Sequence, residues 1–276
     1  MLDEPRTYRH SPLQFVLVPI LVILVGFGFL NSLNRSDYFL YVPFAIIFGF
    51  LILSSLYSLS SITSISDAEI SSGRLWVTKT MTWADIKSVS GSGYGIKLHN
   101  YDGDITVAPS PQLPGYDAVI EMIGQKRPDL FASPEYQEIT RNWWSAAPQV
   151  VLALAILGFG ILNSLRSSDF WLIAFLPVVA GLVMIGSVVF SPQSLTLEGD
   201  SLVLRYFFRE ITYRAAEILS IQMGYQSSRS GKSYFVKLAL KNGKSVRISG
   251  MKVSVPIMYL ALQQWYKKSA SSQISV

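Results

Sequence analysis

Apolar residues gather into four long runs along this chain, and outside those runs they mostly alternate with polar ones. The runs extend from about Leu13 to Leu33, Tyr38 to Tyr57, Gln149 to Leu165 and Phe170 to Phe190, and none contains a charged residue. A helix needs ~20 apolar residues to cross ~30 Å of hydrocarbon, so the pattern predicts four transmembrane helices. They fall into two close pairs, which read as two helical hairpins. Pro19, Pro43 and Pro177 lie inside the runs, where prolines are tolerated and kink a helix. The first run exceeds the ~7–15 apolar residues of a signal peptide, follows Asp3 and Glu4, and precedes no A-x-A site. It reads as a retained anchor.

The two hairpins resemble one another. GFGFLNSLNRSDYFL (Gly26 to Leu40) and GFGILNSLRSSDFWL (Gly158 to Leu172) match at ten of fifteen positions without a gap. Gly26, Gly28, Gly158 and Gly160 are candidates for close helix packing. Asn31 and Asn163 are candidates either for that packing or for ending the helix at the turn. The likeness continues beyond each hairpin. TWADIKSV (Thr82 to Val89) parallels TYRAAEILSI (Thr212 to Ile221), and each is followed by two alternating runs and an amphipathic helical stretch. The chain therefore divides into a first hairpin (1–57), a first soluble part (58–142), a second hairpin (143–190) and a second soluble part (191–276). Two spans per unit place both soluble parts on one side, as a parallel rather than an inverted repeat.

Alternation in the second soluble part is regular enough to set a register. A two-residue Asn242-Gly243 loop would mix the faces of the flanking strands. A three-residue loop Lys241-Asn242-Gly243, with Gly243 at positive φ, places Leu238 opposite Val246 and Val236 opposite Ile248. That register sets Lys237 directly across from Arg247, a like-charge pair that costs ~0.2–1 kcal/mol unless an anion lies between them.

Short strands separated by Gly, Asn and Asp turns and closed by a helix read as a small β-barrel or sandwich. A two-helix hairpin leading into such strands, with an I-x-x-I/V strand after the Thr-aromatic turn and a terminal helix, resembles bacterial pleckstrin-homology-like (PH-like) membrane proteins. The resemblance implies two seven-stranded α+β barrels, each capped by its carboxy-terminal helix, and brings no catalytic residues with it.

Charge separates the two copies. The first soluble part has seven basic and ten acidic residues, a net −3; the second has twelve and four, a net +8. The whole-chain charge of +5 hides this contrast. Arg229, Lys232, Lys237, Lys241, Lys244 and Arg247 form the candidate anion, lipid or partner-binding set. The bland reading of these residues is a solvated basic face, and both readings stand at this level. Arg6 and Arg9 before the first run, and Arg141 before the third, favour a cytoplasmic amino terminus and cytoplasmic soluble parts in a cell inner membrane.

Chemistry is sparse. The chain has no cysteine and only two histidines, His10 and His99, so no metal centre is expected. GxxxxGK[ST], HExxH and GxSxG are absent, and GSGYG (Gly91 to Gly95) lacks the setting of a nucleotide loop. No cofactor follows, and the expectation is a protein that is not an enzyme. The sequence points to a membrane scaffold or binding protein: an accessory subunit of a larger membrane complex, or a binder of anionic lipid head groups. The alternative is a transporter of lipid or another apolar solute between the hairpins. Nucleic acid is not an expected partner.

Overall fold

The computed structural model describes residues 5–32, 38–166, 171–228 and 231–274. It divides into two compact units, one formed by residues 1–90 and 95–127, the other by 91–94 and 128–276.

The first unit starts with a short strand, β1 (Arg6–Arg9), then α1 (Pro12–Ser32) and α2 (Tyr38–Leu59). Strands β2 (Ile62–Ile65), β3 (Glu69–Arg74) and β4 (Val77–Thr82) follow, and the sheet order is β1-β2-β3-β4. Arg6 pairs with Ile65 and Arg9 with Ile62. The helical hairpin is thus an insertion between two hydrogen-bonded antiparallel neighbours, and the sheet holds both of its ends together. A second sheet contains β5 (Ile86–Ser90), β6 (Lys97–Asn100) and β7 (Thr106–Val107), and α3 (Tyr116–Lys126) follows it. Ile70, Ile86, Leu98 and Val107 are buried, as are Tyr116, Val119, Ile120 and Ile123 of α3. Arg127 secures the helix end by donating to the carbonyls of Trp83 (2.6 Å) and Ile86 (2.5 Å).

The second unit repeats this order of elements. Strand β8 (Glu138–Thr140) precedes α4 (Trp143–Arg166) and α5 (Trp171–Val189). Next come β9 (Ser194–Glu198), β10 (Ser201–Arg205) and β11 (Glu210–Arg214), in the sheet order β11-β10-β9-β8. Then β12 (Ile218–Ser228), β13 (Gly231–Leu240) and β14 (Ser245–Ile248) form a three-stranded sheet, and α6 (Val255–Ile274) closes the chain. Ile139 pairs with Leu195, so this hairpin is also clamped at both ends by one sheet.

Two sequence expectations are corrected. The first is the closed barrel: each unit has seven strands, but they form separate sheets of four and three, and no sheet closes among the described residues. The cause lies at the corner between the sheets. After β4 the chain enters a tight turn, with Asp85 N–H donating to the Thr82 carbonyl (3.2 Å) and the Trp83 side chain buried. After β11 the same role falls to a 3-10 turn at Ala215–Glu217. Neither turn continues a strand ladder, so each three-stranded sheet starts afresh.

The second correction is the four transmembrane helices. Among the described residues, only Val42–Leu59 of α2 and Trp143–Leu162 of α4 are long and apolar enough to cross a bilayer. Among the described residues, the apolar stretches within α1 and α5 are Val16–Gly28 and Phe175–Val189. Both stretches are shorter than the ~20 residues that a span needs. The expected first and fourth runs took in Leu33 and Phe170, which lie outside the described residues.

Candidate functional site

The hairpin joining β13 and β14 has the register that its alternation predicts. Val236 faces Ile248, Leu238 faces Val246, and Lys237 stands directly across from Arg247. Gly243 has a φ of +80°, and its N–H donates to the Leu240 carbonyl (3.0 Å). The Asn242 side chain accepts from Lys244 N–H (3.0 Å), fixing the turn.

Tyr234, Val236, Leu238 and Leu240 are buried, so the odd-numbered residues of β13 form the outer face. Gln222 pairs with Lys237 there, and Gly224 with Phe235. A side chain at Gly224 would meet the Phe235 ring at 2.8 Å, so the glycine makes room for the ring to lie flat across β12. The Arg247 guanidinium stacks over that ring, 4.8 Å from its centre. Such a cation–π contact contributes about 0.5–1 kcal/mol at an exposed site. It also draws the guanidinium toward Phe235 rather than toward Lys237 opposite. Ser220, Gln222, Gly224, Gln226, Ser233, Phe235, Lys237, Ala239, Ser245 and Arg247 occupy outer-face positions, and none is acidic. Two cations therefore share a flat face without a counter-charge of its own.

The other candidates do not join them. Lys232 is on the same side of β13 as Tyr234, opposite to Lys237, and its ammonium sits over the Tyr225 ring at 5.0 Å. Tyr225 in turn leans on Tyr234, with ring centres 5.8 Å apart. Lys241 and Lys244 belong to the tight turn at the far end of β13, about 30 Å from Lys232 at ~3.3 Å per residue. Arg229 lies outside the described residues. Sequence proximity grouped six residues; the strand separates the five described ones by face and by end.

The packing candidates also divide. In the first hairpin Gly26 is buried, and an added Cβ would lie 3.0 Å from the Phe48 ring of α2; Gly28 has nothing within 4 Å. In the second hairpin the pattern is reversed: Gly158 is open, whereas a Cβ at Gly160 would lie 2.8 Å from Val178 of α5. Gly181, which carries no motif, makes the closest approach, 2.4 Å from Leu157 and 2.9 Å from the Ala153 carbonyl oxygen. Asn31 lies exposed in the last turn of α1, and Asn163 belongs to α4, its side chain outside the described residues.

Two further places hold polar groups. At the base of the second hairpin, Arg141 is buried and donates to the Val188 carbonyl (3.0 Å) at the end of α5. Its guanidinium is 5.7 Å from the centre of the Trp143 ring, and burial pulls its pKa down. Between α6 and the β9–β10 turn lies a cleft of about 530 Å³ lined by Tyr136, Asp200, Trp265 and Lys268. Trp265 donates to the Gly199 carbonyl (2.8 Å), and burial pushes the Tyr136 phenol up. His99 bridges Ser90 (2.7 Å) and Thr106 (3.2 Å) across three strands, a structural role at a partly exposed position. No group of three or more metal-ligating residues occurs among the described residues. No family model and no curated protein matches this chain.

Proposed function

We propose that this protein is a non-enzymatic, membrane-embedded scaffold that binds anionic lipid head groups through the outer face of the β12–β14 sheet. The observation that carries the reading is the pair Lys237 and Arg247, directly opposed on a sheet face with no acidic residue. Placing like charges across a ladder costs stability, and an anion between them recovers it. The net +8 of residues 191–276 adds a longer-range attraction toward a negative leaflet.

The membrane part of the reading is supported by the helices. Val16, Leu24, Val42, Ile46, Phe50 and Leu53 are all exposed, as are Val151, Leu154, Phe159, Leu176 and Val183 in the second unit. So much outward apolar surface on helices requires an apolar surrounding. Strand pairing at the base of each hairpin returns the chain to the side it left, whatever depth the helices reach. Arg6, Arg9 and Arg141 beside the helix starts support placing that side in the cytoplasm of a cell with an inner membrane.

The test uses the detergent-solubilised full chain, titrated at low salt with phosphatidylglycerol or phosphatidylcholine and followed by native mass spectrometry. Each basic residue near an anionic surface contributes roughly 1 kcal/mol. Lys237→Gln with Arg247→Gln is therefore expected to weaken phosphatidylglycerol binding about 30-fold and to leave phosphatidylcholine unchanged. Raised salt is expected to reproduce the loss. Equal binding by parent and double variant overturns the lipid reading. A stoichiometric protein recovered with the parent in place of lipid identifies an accessory subunit instead.

A further inference from the structure

In both units, the turn between the last two strands of the four-stranded sheet carries the most exposed apolar side chains outside the helices, and both turns adjoin a helix that is long enough to cross a bilayer. In the first unit that turn holds Leu75 and Trp76, with Val77 opening the next strand. Trp76 is 93% exposed and Val77 66%. Leu75 has a φ of +53°, the one non-glycine residue at positive φ among those described. Holding leucine there costs of order 1–3 kcal/mol unless the surroundings enforce it. The enforcing group is Ser60, directly beyond α2: its hydroxyl accepts from Leu75 N–H (3.1 Å) and donates to the Tyr57 carbonyl (2.8 Å). Arg74 completes the junction, its guanidinium 5.1 Å from the centre of the Tyr57 ring. The turn is thus fastened to the last turn of α2.

The second unit reaches the same arrangement with other residues. Its turn is Tyr206-Phe207-Phe208-Arg209, closed by Tyr206 N–H donating to the Arg209 carbonyl (2.8 Å) and flanked by the Arg205–Glu210 ion pair (2.9 Å). Phe208 is 84% exposed. Phe207 meets Trp143, the first residue of α4, edge to face with ring centres 5.9 Å apart. Trp144 beside it is 89% exposed, and Arg209 lies over Tyr206 at 5.0 Å. LW and YFF are unalike, so the common feature is position in the fold and chemistry, not sequence.

We propose that these two turns are interfacial anchors, each dipping its aromatic tip into the head-group and acyl boundary of the bilayer beside its own hairpin. The inference rests on the membrane reading above and adds to it a second point of contact per unit. Aromatic rings flanked by arginine suit that boundary, where one end of the side chain is apolar and the other wet. Continuity with the helix ends selects the bilayer as the occupant. The Ser60 bond and the Trp143–Phe207 contact put the tips level with residues where α2 ends and α4 begins. A hairpin base with one attachment can swivel; two attachments fix the tilt of the sheets above the membrane.

The absence of cysteine makes the test direct. Single substitutions Trp76→Cys, Phe208→Cys, Phe50→Cys and Lys241→Cys in the full chain are labelled with an environment-sensitive fluorophore and reconstituted in vesicles of mixed phosphatidylglycerol and phosphatidylcholine. Quenching is measured with aqueous iodide and with nitroxide lipids of shallow or deep label. At 76 and 208 the expected result is strong quenching by the shallow nitroxide, a blue-shifted emission, and iodide quenching several-fold weaker than at 241. At 50, in the middle of α2, the deep nitroxide is expected to dominate. If 50 is lipid-quenched but 76 or 208 is as open to iodide as 241, the anchors are refuted and the membrane reading survives. If 50 is not lipid-quenched, the membrane reading fails and the anchors fail with it. Protection from both quenchers at 76 and 208 also overturns the proposal, because a protein then covers the tips.

Discussion

Gly243 determines whether Lys237 and Arg247 face one another, and its contribution separates cleanly into backbone and packing. Its φ of +80° is a conformation that side chains rarely adopt, yet nothing lies within 4 Å of where a Cβ would sit. Any cost of substitution is therefore conformational and not steric. Asparagine, which tolerates left-handed backbone, is expected to cost only a few tenths of a kcal/mol at this position. Alanine is expected to cost about 1 kcal/mol, and valine, branched at Cβ, about 1–2 kcal/mol or more. Global unfolding of a chain with two compact units is not a two-state measurement, so the assay is native-state hydrogen exchange. The reporting amides are Leu240, which donates to the Lys244 carbonyl (2.9 Å), and Gly243 or its replacement, which donates to the Leu240 carbonyl. Opening of the turn is expected to rise about 5-fold for alanine and 5- to 30-fold for valine, with asparagine near the parent. Valine matching the parent, or asparagine as damaging as valine, would refute the backbone argument. The opposition of Lys237 and Arg247 would then need another origin.

Four more substitutions test the packing and the electrostatics. Gly181→Ala drives a methyl to 2.4 Å from Leu157 and 2.9 Å from a backbone oxygen, and overpacking of this kind costs about 1–3 kcal/mol. Gly158→Ala enters open space and should be neutral or slightly stabilising in a helix; denaturant titration in mixed micelles should rank the two. Arg127→Ala removes two charge-assisted hydrogen bonds that anchor the end of α3, at about 1.5–3 kcal/mol each, seen as faster exchange across 116–126. Asp67 bonds Lys126 at 2.5 Å, which holds its carboxyl below the ordinary value of 3.8. Because the folded-state pKa is depressed, that stabilisation is fully present above 3.8 and disappears as pH falls through the lower folded value. Asp67→Asn should remove this acid-limb dependence in thermal melts, and an unchanged acid limb would show that the contact is inert.

What the sequence determined by itself was local and periodic. Uncharged apolar runs marked the four helices of the two hairpins, although only α2 and α4 are long and apolar enough to cross a bilayer among the described residues. Alternation of Val236, Leu238, Val246 and Ile248 set the β13–β14 register, because a slip of one residue moves every apolar side chain to the wrong face. Tertiary structure decided everything that depends on partners distant in sequence. Strands β1 and β8 are four and three residues long, with no pattern to reveal them. They exist because their partners, β2 and β9, return to them across an entire helical hairpin. Charge counts found the basic second part but not its geometry, because alternation across β13 places Lys232 and Lys237 on opposite faces. The exposed tips at Trp76 and Phe208 were equally hidden, since an aromatic residue in a turn gives no sign of lying beside a helix end. The nearness of Leu75 to Ser60 is a property of the folded chain, which brings the β3–β4 turn back to the end of α2.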